Sequence, residues 1–235
     1  MPAETAFCDR YCQLFAALGR PLTSRDGIKE SEITTVERKL GVRLPNSLRD
    51  YYLGAGKERL FNSAFNRLLP LKECTVESGK LVFMEENQGV VLWGVAATSR
   101  PLQDPAVFQT PIVDDEPTQW HHEHRRCSVF LTVMLHWQAV NSMAMRCGGS
   151  ATVPAELVAV LDRNWSFAGE VGGIKAYSRP NQAVCLLKWV NCFGKEPKNE
   201  WQICAGAVTQ GDLDAIVSDL GVQLKHQWPS RPKQP

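Results

Sequence analysis

The chain has 235 residues, 26 of them basic and 25 acidic, and a formal net charge of +1. That balance excludes the long-range attraction that draws strongly basic proteins to nucleic acid or anionic lipid, and leaves only local patches. With 44% apolar and 22% charged residues the composition is that of an ordinary globular protein of one or two domains.

The opening stretch, MPAETAFCDRYCQLF, has no basic segment followed by an apolar one, so no secretory leader is expected. Val129 to Val140 is the nearest thing to a membrane span, but it is too short and carries His136, Trp137 and Gln138. Eight cysteines with no C-x-x-C pair read as free, mostly buried thiols in a cytoplasmic protein.

Thr5 to Leu18 predicts a helix with Phe7, Tyr11, Leu14, Phe15 and Leu18 on one face, ended by Gly19 and Pro21. Cys8 and Cys12, four apart, have the spacing of a metal pair, but fit better as small hydrophobes beside that face. Ser31 is placed to cap a second helix with Ile33, Val36 and Leu40 as its stripe. Gly41 stops it, and Val42 packs back. In LPNSLRDYYLGAG, Pro45 suits a first helical turn, Leu48, Tyr51 and Tyr52 face inward, and Gly54 and Gly56 break the helix.

The period then changes to that of strands, over 67–71, 81–84 and 90–95. Asn87-Gln88-Gly89 reads as the loop joining the last two, with Gly89 supplying a positive φ. A short strand over 106–109 follows Asp104-Pro105. Ser128 is placed to cap a helix with Leu131, Met134 and Leu135 inward. That helix fades near Gly148-Gly149, read as a boundary between a domain of residues 1–149 and an extension of 150–235. The extension predicts a helix over 154–163, strands over 165–171 and 174–178 about a Gly172-Gly173 turn, and a long apolar run over 183–193. A polar turn, a strand over 201–208, a helix capped by Thr209 and Asp212, and a loose Pro-rich tail complete it. Clustered rather than alternating elements argue for an α+β fold, a mixed, largely antiparallel sheet packed by helices.

The densest chemistry is WHHEHRRC. His121, His122, Glu123, His124 and Cys127 are all zinc-ligand types, but H-E-x-x-H is absent, and a surface segment before a helix explains them equally well. No metal or other cofactor is therefore expected. Asp114, Asp115 and Glu116, between Pro111 and Pro117, form an acidic run that would serve as a docking patch for a basic partner, with Trp120 beside it, or simply as a solvated loop. Glu85 or Glu86 would act as an acid or base only if buried. No serine elbow, P-loop or Rossmann glycine pattern supports an enzyme.

Several segments in this order, LGVRLPNSLRDYYLGAG, ENQGVVLWGV, DPAVF and SVFLTVMLHWQAV, resemble the SUKH superfamily over roughly residues 25–147. That family includes the yeast cell-wall assembly regulator and many bacterial immunity proteins. The resemblance implies an α+β fold and a non-enzymatic, protein-binding role. Leu44, Pro45, Leu48 and Gly56 would shape the helical entry, and Glu86, Gln88, Gly89 and Trp93 the central loop and strand. It implies no catalytic residue. The expected partner is a cognate toxin, a nuclease being one class, with no direct contact to nucleic acid or membrane. The alternatives are a regulatory scaffold or adaptor for an endogenous partner, and a metal-dependent hydrolase using the histidine segment. If the acidic run meets a basic partner, replacing Asp114, Asp115 and Glu116 by Lys slows association, and salt weakens the wild-type complex more than the variant one. Equal association rates at low salt would take the run out of the interface.

Overall fold

The first three helices arise where the apolar stripes place them, and a short fourth one was not read from the sequence. The computed structural model describes residues 7–113, 118–141, 144–188 and 200–228. Helix α1 (Phe7–Ala17) buries Tyr11 and Phe15. Helix α2 (Glu30–Leu40) begins two residues earlier than a Ser31 cap would allow, with Lys29 as its cap. The carboxylate of Glu32 reaches back to accept the Lys29 backbone N–H at 3.2 Å, which puts Ser31 inside the first turn. The helix ends as expected: Gly41 takes φ 69°, and the Val42 N–H donates to the Glu37 carbonyl at 3.1 Å.

Helix α3 (Asn46–Ala55) starts just after Pro45, which is its cap. Its free N–H groups on Asn46 and Ser47 donate to the carbonyls of Leu102 and Gln103, at 2.8 and 3.1 Å. Gly54 lies inside the helix and does not break it; Gly56 is the terminus. A Cβ on Gly56 would come within 2.7 Å of the Tyr52 carbonyl oxygen and 2.8 Å of Ile28, so glycine is required there by close approach. The turn between α2 and α3 is closed by Glu37, which is 3% exposed. One carboxylate oxygen accepts the Leu44 N–H at 2.9 Å, and the other faces Arg43 Nε at 3.2 Å. Helix α4 (Arg59–Asn62) is a single turn capped by Glu58.

The first sheet follows. Its strands are β1 (Arg67–Leu68), β2 (Thr75–Glu77), β3 (Lys80–Glu85), β4 (Val91–Ala96), β5 (Val107–Pro111) and β6 (His121–His124). The order is β1-β3-β4-β5-β6, with β2 also on β3, and every pair is antiparallel. The strand expected over 67–71 is cut short because Leu71–Glu73 form a 3-10 turn after Pro70. Leu81, Phe83, Met84, Trp93, Val95 and Val107 are buried. Helix α5 (Cys127–Val140) sets Phe130 edge-on to Phe83 and tilted against Trp93, both at 5.8 Å between ring centroids. Its N-terminus is capped from another segment. The Asp104 carboxylate accepts both the Ser128 N–H (2.7 Å) and the Ser128 hydroxyl (2.6 Å), so Ser128 is the group being held and Asp104 holds it.

By packing, the chain divides into one unit of residues 1–16 and 21–132 and a second of 17–20 and 133–235. The second unit takes the latter part of α5 and then β7 (Cys147–Pro154), α6 (Glu156–Asn164), β8 (Ser166–Val171), β9 (Ile174–Arg179), β10 (Gln182–Lys188), β11 (Glu200–Ala207), α7 (Gln210–Leu220) and β12 (His226–Trp228). These strands form a second antiparallel sheet in the order β12-β7-β11-β10-β9-β8. Gly172 and Gly173 turn the β8–β9 hairpin with φ 55° and 78°, the pair of positive values a two-residue hairpin needs. Leu157 and Leu161 of α6 and Leu213 and Ile216 of α7 share one core with Tyr177, Val184, Leu186, Ile203 and Ala205.

The other face of this sheet carries small residues. Ala176, Cys185, Cys204 and Ser150 are neighbours in one register row across four strands. A Cβ on Gly206 would lie 3.2 Å from the Ala139 carbonyl oxygen of α5, so the helix sits almost on the sheet backbone. Gly148 and Gly149 are not a break between domains. They lie inside β7, where a Cβ would come within 2.5 Å of the Ala205 and His226 carbonyl oxygens respectively. Glycine here marks close packing within a strand. The fold is α+β, and every strand pair among the described residues is antiparallel, so neither sheet is mixed. The polar turn after β10 and the tail beyond Trp228 lie outside the described residues.

Removing the Asp104 carboxylate leaves two donors of a buried helix end without their acceptor. Asp104→Ala is expected to lower stability by about 1–2 kcal/mol in urea unfolding, and Ser128→Ala by less, since the backbone N–H keeps its acceptor.

Candidate functional site

Side chains alternate across the first sheet, so the face opposite Trp93 and Val95 presents Leu92, Gly94, Phe108, Thr110 and His122. Lys80 lies with its ammonium 4.1 Å from the Phe108 ring centroid, and His122 meets the same ring edge-on at 5.9 Å. Residues 118–120, just before β6, lie across this face. The Thr118 hydroxyl donates to the Glu77 carboxylate at 2.8 Å, and the Trp120 indole N–H donates to the Glu77 carbonyl at 3.2 Å. The Trp120 ring stops 3.1 Å from where a Gly94 Cβ would stand, so Gly94 makes room for it. Trp120 thus straps the segment onto the sheet. Between this strap and the end of β5 is a pocket of about 420 Å³, lined by Glu77, Leu92, Ile112, Val113 and His121 among others.

Beside the pocket is an apolar patch. Val90 is 49% exposed, and Ile112 and Val113 are each 47% exposed. The Ile112 N–H donates to the Val90 carbonyl at 2.8 Å, which places the two residues side by side. These three were not singled out by sequence reasoning. The available signal was two β-branched residues, Ile112 and Val113, in a connection flanked by Pro111 and the acidic run. Asp114, Asp115 and Glu116 lie outside the described residues.

The β3–β4 connection is a hairpin turn. The Gly89 N–H donates to the Glu86 carbonyl at 2.9 Å, with Gly89 at φ 70°. The Glu86 carboxylate accepts the Gln88 backbone N–H at 2.7 Å, and Asn66 accepts the Asn87 N–H at 3.3 Å. The loop is therefore tied by Glu86 and by Asn66 from outside it, whereas Gln88 contributes its backbone. Trp93 is buried at 7% exposure, and its indole N–H meets no acceptor among the described residues. Leu44 and Leu48 are buried at the start of α3.

The histidines do not converge. His122 pairs with Phe108 and His121 with Gln109, while a register shift leaves His124 opposite Val107. The ring Nδ1 of His124 accepts the Arg126 N–H at 3.1 Å. Among the described residues no three His, Cys, Asp or Glu side chains come together as a metal site. Glu123 has its carboxyl raised by burial. Burial likewise pushes the Cys74 and Cys204 thiols up to about 11, and raises Cys8, Cys127, Cys147 and Cys185, so each is a thiol rather than a thiolate at neutral pH. Among the described residues no helix is long and apolar enough to cross a membrane. Comparison of the chain with protein-family models, curated proteins and solved structures returns no match.

With Trp93 packed on Phe130, truncation to Ala is expected to cost about 3–5 kcal/mol in unfolding free energy. Trp93→Phe should cost far less, because it keeps the ring contact and removes a buried donor without an acceptor. A stable, soluble Trp93→Ala protein would show that the indole is not part of the core.

Proposed function

We propose that the chain is a protein-binding domain that acts in the cytoplasm by covering a surface of its partner, as an immunity protein does in neutralising a cognate toxin. The observation that carries the binding role is the patch of Val90, Ile112 and Val113 beside the pocket at Glu77 and Leu92. Clustered exposed apolar side chains rimmed by polar groups are costly to leave in water and are what a protein partner covers. The toxin assignment rests on the ordered resemblance of the helical-entry, hairpin and central-helix segments to the SUKH superfamily. The strap through Trp120 and Glu77 holds the edge of the patch in place before binding, which reduces the ordering cost on association.

The test is co-expression with the product of the gene directly upstream. Growth should be rescued by the wild-type chain. In the purified pair, Val90→Lys with Ile112→Lys should weaken binding by about 30-fold or more, corresponding to at least ~2 kcal/mol for an interface centre. A complex formed with an endogenous partner, with no toxic gene product involved, would replace the immunity reading with the adaptor one. Unchanged affinity of the double variant would move the interface elsewhere.

A further inference from the structure

A second concavity of the first unit is separate from the outer sheet face. It is a groove of about 770 Å³ between α2, the segment around α4 and the β1 to 3-10 turn region. That volume lies within the range of pockets that enclose a small organic molecule, about 300–1,000 Å³. Ile28, Val36, Leu68 and Leu71 supply apolar lining.

Four cations line the groove as well, and their partners decide its character. Lys57 is paired with Glu32 at 3.3 Å. Arg67 is shared between Glu73 at 2.7 Å and Glu85 at 2.6 Å. The remaining carboxylate of the lining, Glu58, is 3% exposed and turned to the Phe61 backbone N–H at 2.6 Å, as the cap of α4. Arg59 and Lys72 are left at the groove, both exposed, and neither has an ion pair among the described residues. An apolar trough with two exposed cations outside ion pairs, and four cations to three carboxylates in its lining, is complementary to one kind of small molecule.

We propose that this groove binds an amphipathic anion, an organic molecule with an apolar body and a carboxylate or phosphate head, the body lying on Val36, Leu68 and Leu71 and the head held by Arg59 and Lys72. A guanidinium presents paired donors to either oxyanion, and the flexible ammonium adds a second charge. The inference is independent of the protein-binding role, since none of these residues belongs to the Val90–Ile112–Val113 patch.

The full chain is titrated with 8-anilinonaphthalene-1-sulfonate, an apolar-bodied anion whose fluorescence reports binding, and the bound probe is then challenged with competitors. Decanoate and decyl phosphate are expected to displace it, and decyltrimethylammonium, with the same chain and opposite charge, is not. Arg59→Gln with Lys72→Gln, both at exposed positions, should weaken probe and decanoate binding about tenfold at low salt with an unchanged thermal midpoint. High salt should narrow that difference. The Val90→Lys, Ile112→Lys variant should bind the probe as the wild type does, which keeps this test apart from that of the protein interface. Equal displacement by the cationic competitor, or full affinity in the Arg59/Lys72 variant, would overturn the proposal. So would loss of the signal in the Val90/Ile112 variant, or displacement only by an acidic, apolar peptide, which would make the groove a peptide site.

Discussion

Helix α5 is the element on which the rest depends. Every residue from Cys127 to His136 is buried, and after the half-buried Trp137 so are Gln138, Ala139 and Val140. A helix buried nearly all round satisfies its backbone internally, but its ends and its polar side chains, Ser128, Thr132, His136 and Gln138, must find their partners within the protein. Its first turns meet Phe83 and Trp93 of the first sheet. Further along, the Ala139 carbonyl approaches Gly206 of the second so closely that any side chain there would have to move it. The facing residues differ accordingly, Phe83 and Trp93 meeting Phe130 and Gly206 meeting Ala139. Close-packed interiors leave no slack to exchange one pattern for the other.

Burial on this scale has to be matched by polar satisfaction, and much of that comes from distant segments. Asp104 caps α5, the Leu102 and Gln103 carbonyls take the first N–H groups of α3, and Glu37 takes the Leu44 N–H. The tyrosines of the first unit serve both ends of the problem. Tyr11, Tyr51 and Tyr52 are buried rings whose hydroxyls donate to the Ser47 carbonyl, the Asn62 side chain and the Leu69 carbonyl. Burial raises all three phenols, which remain neutral donors. Each ring therefore adds apolar area to the core while its hydroxyl ties one helix to another, or, for Tyr52, to the segment after β1, the combination that makes tyrosine useful at such junctions.

The two surface features differ in physical kind. The patch of Val90, Ile112 and Val113 is exposed, with Glu77 as the charged group of the adjoining pocket. It suits a broad partner that removes apolar area from water. The groove at Arg59 and Lys72 is concave, apolar within and positively charged where its carboxylates are already engaged. It suits a ligand small enough to be enclosed.

Much of the helical architecture was legible in the sequence, because a helix is specified locally. The Ile33 stripe with its Gly41 stop, the Thr209–Asp212 cap of α7 and the Gly172-Gly173 turn depend on residues a few positions apart, and each is where its signals place it. The α+β class followed from the clustering of such elements. The misreadings share a cause. Gly148-Gly149 has the composition of a linker, yet it is a strand interior, because only the approach of β11 and β12 explains the absence of side chains. Ser128 has the position of a cap, yet Asp104, twenty-four residues away, makes the bonds. Strands β2, β6, β7 and β12 went unread because each is short or irregular in pattern and a strand's partner supplies half its hydrogen bonds. For the same reason the sequence singled out Trp120 but not its carbonyl acceptor on Glu77, nor the meeting of Val90 with Ile112. Local free energy chose the helices and turns, whereas long-range pairing and packing decided the sheets, the boundary within α5 and which apolar side chains stay exposed.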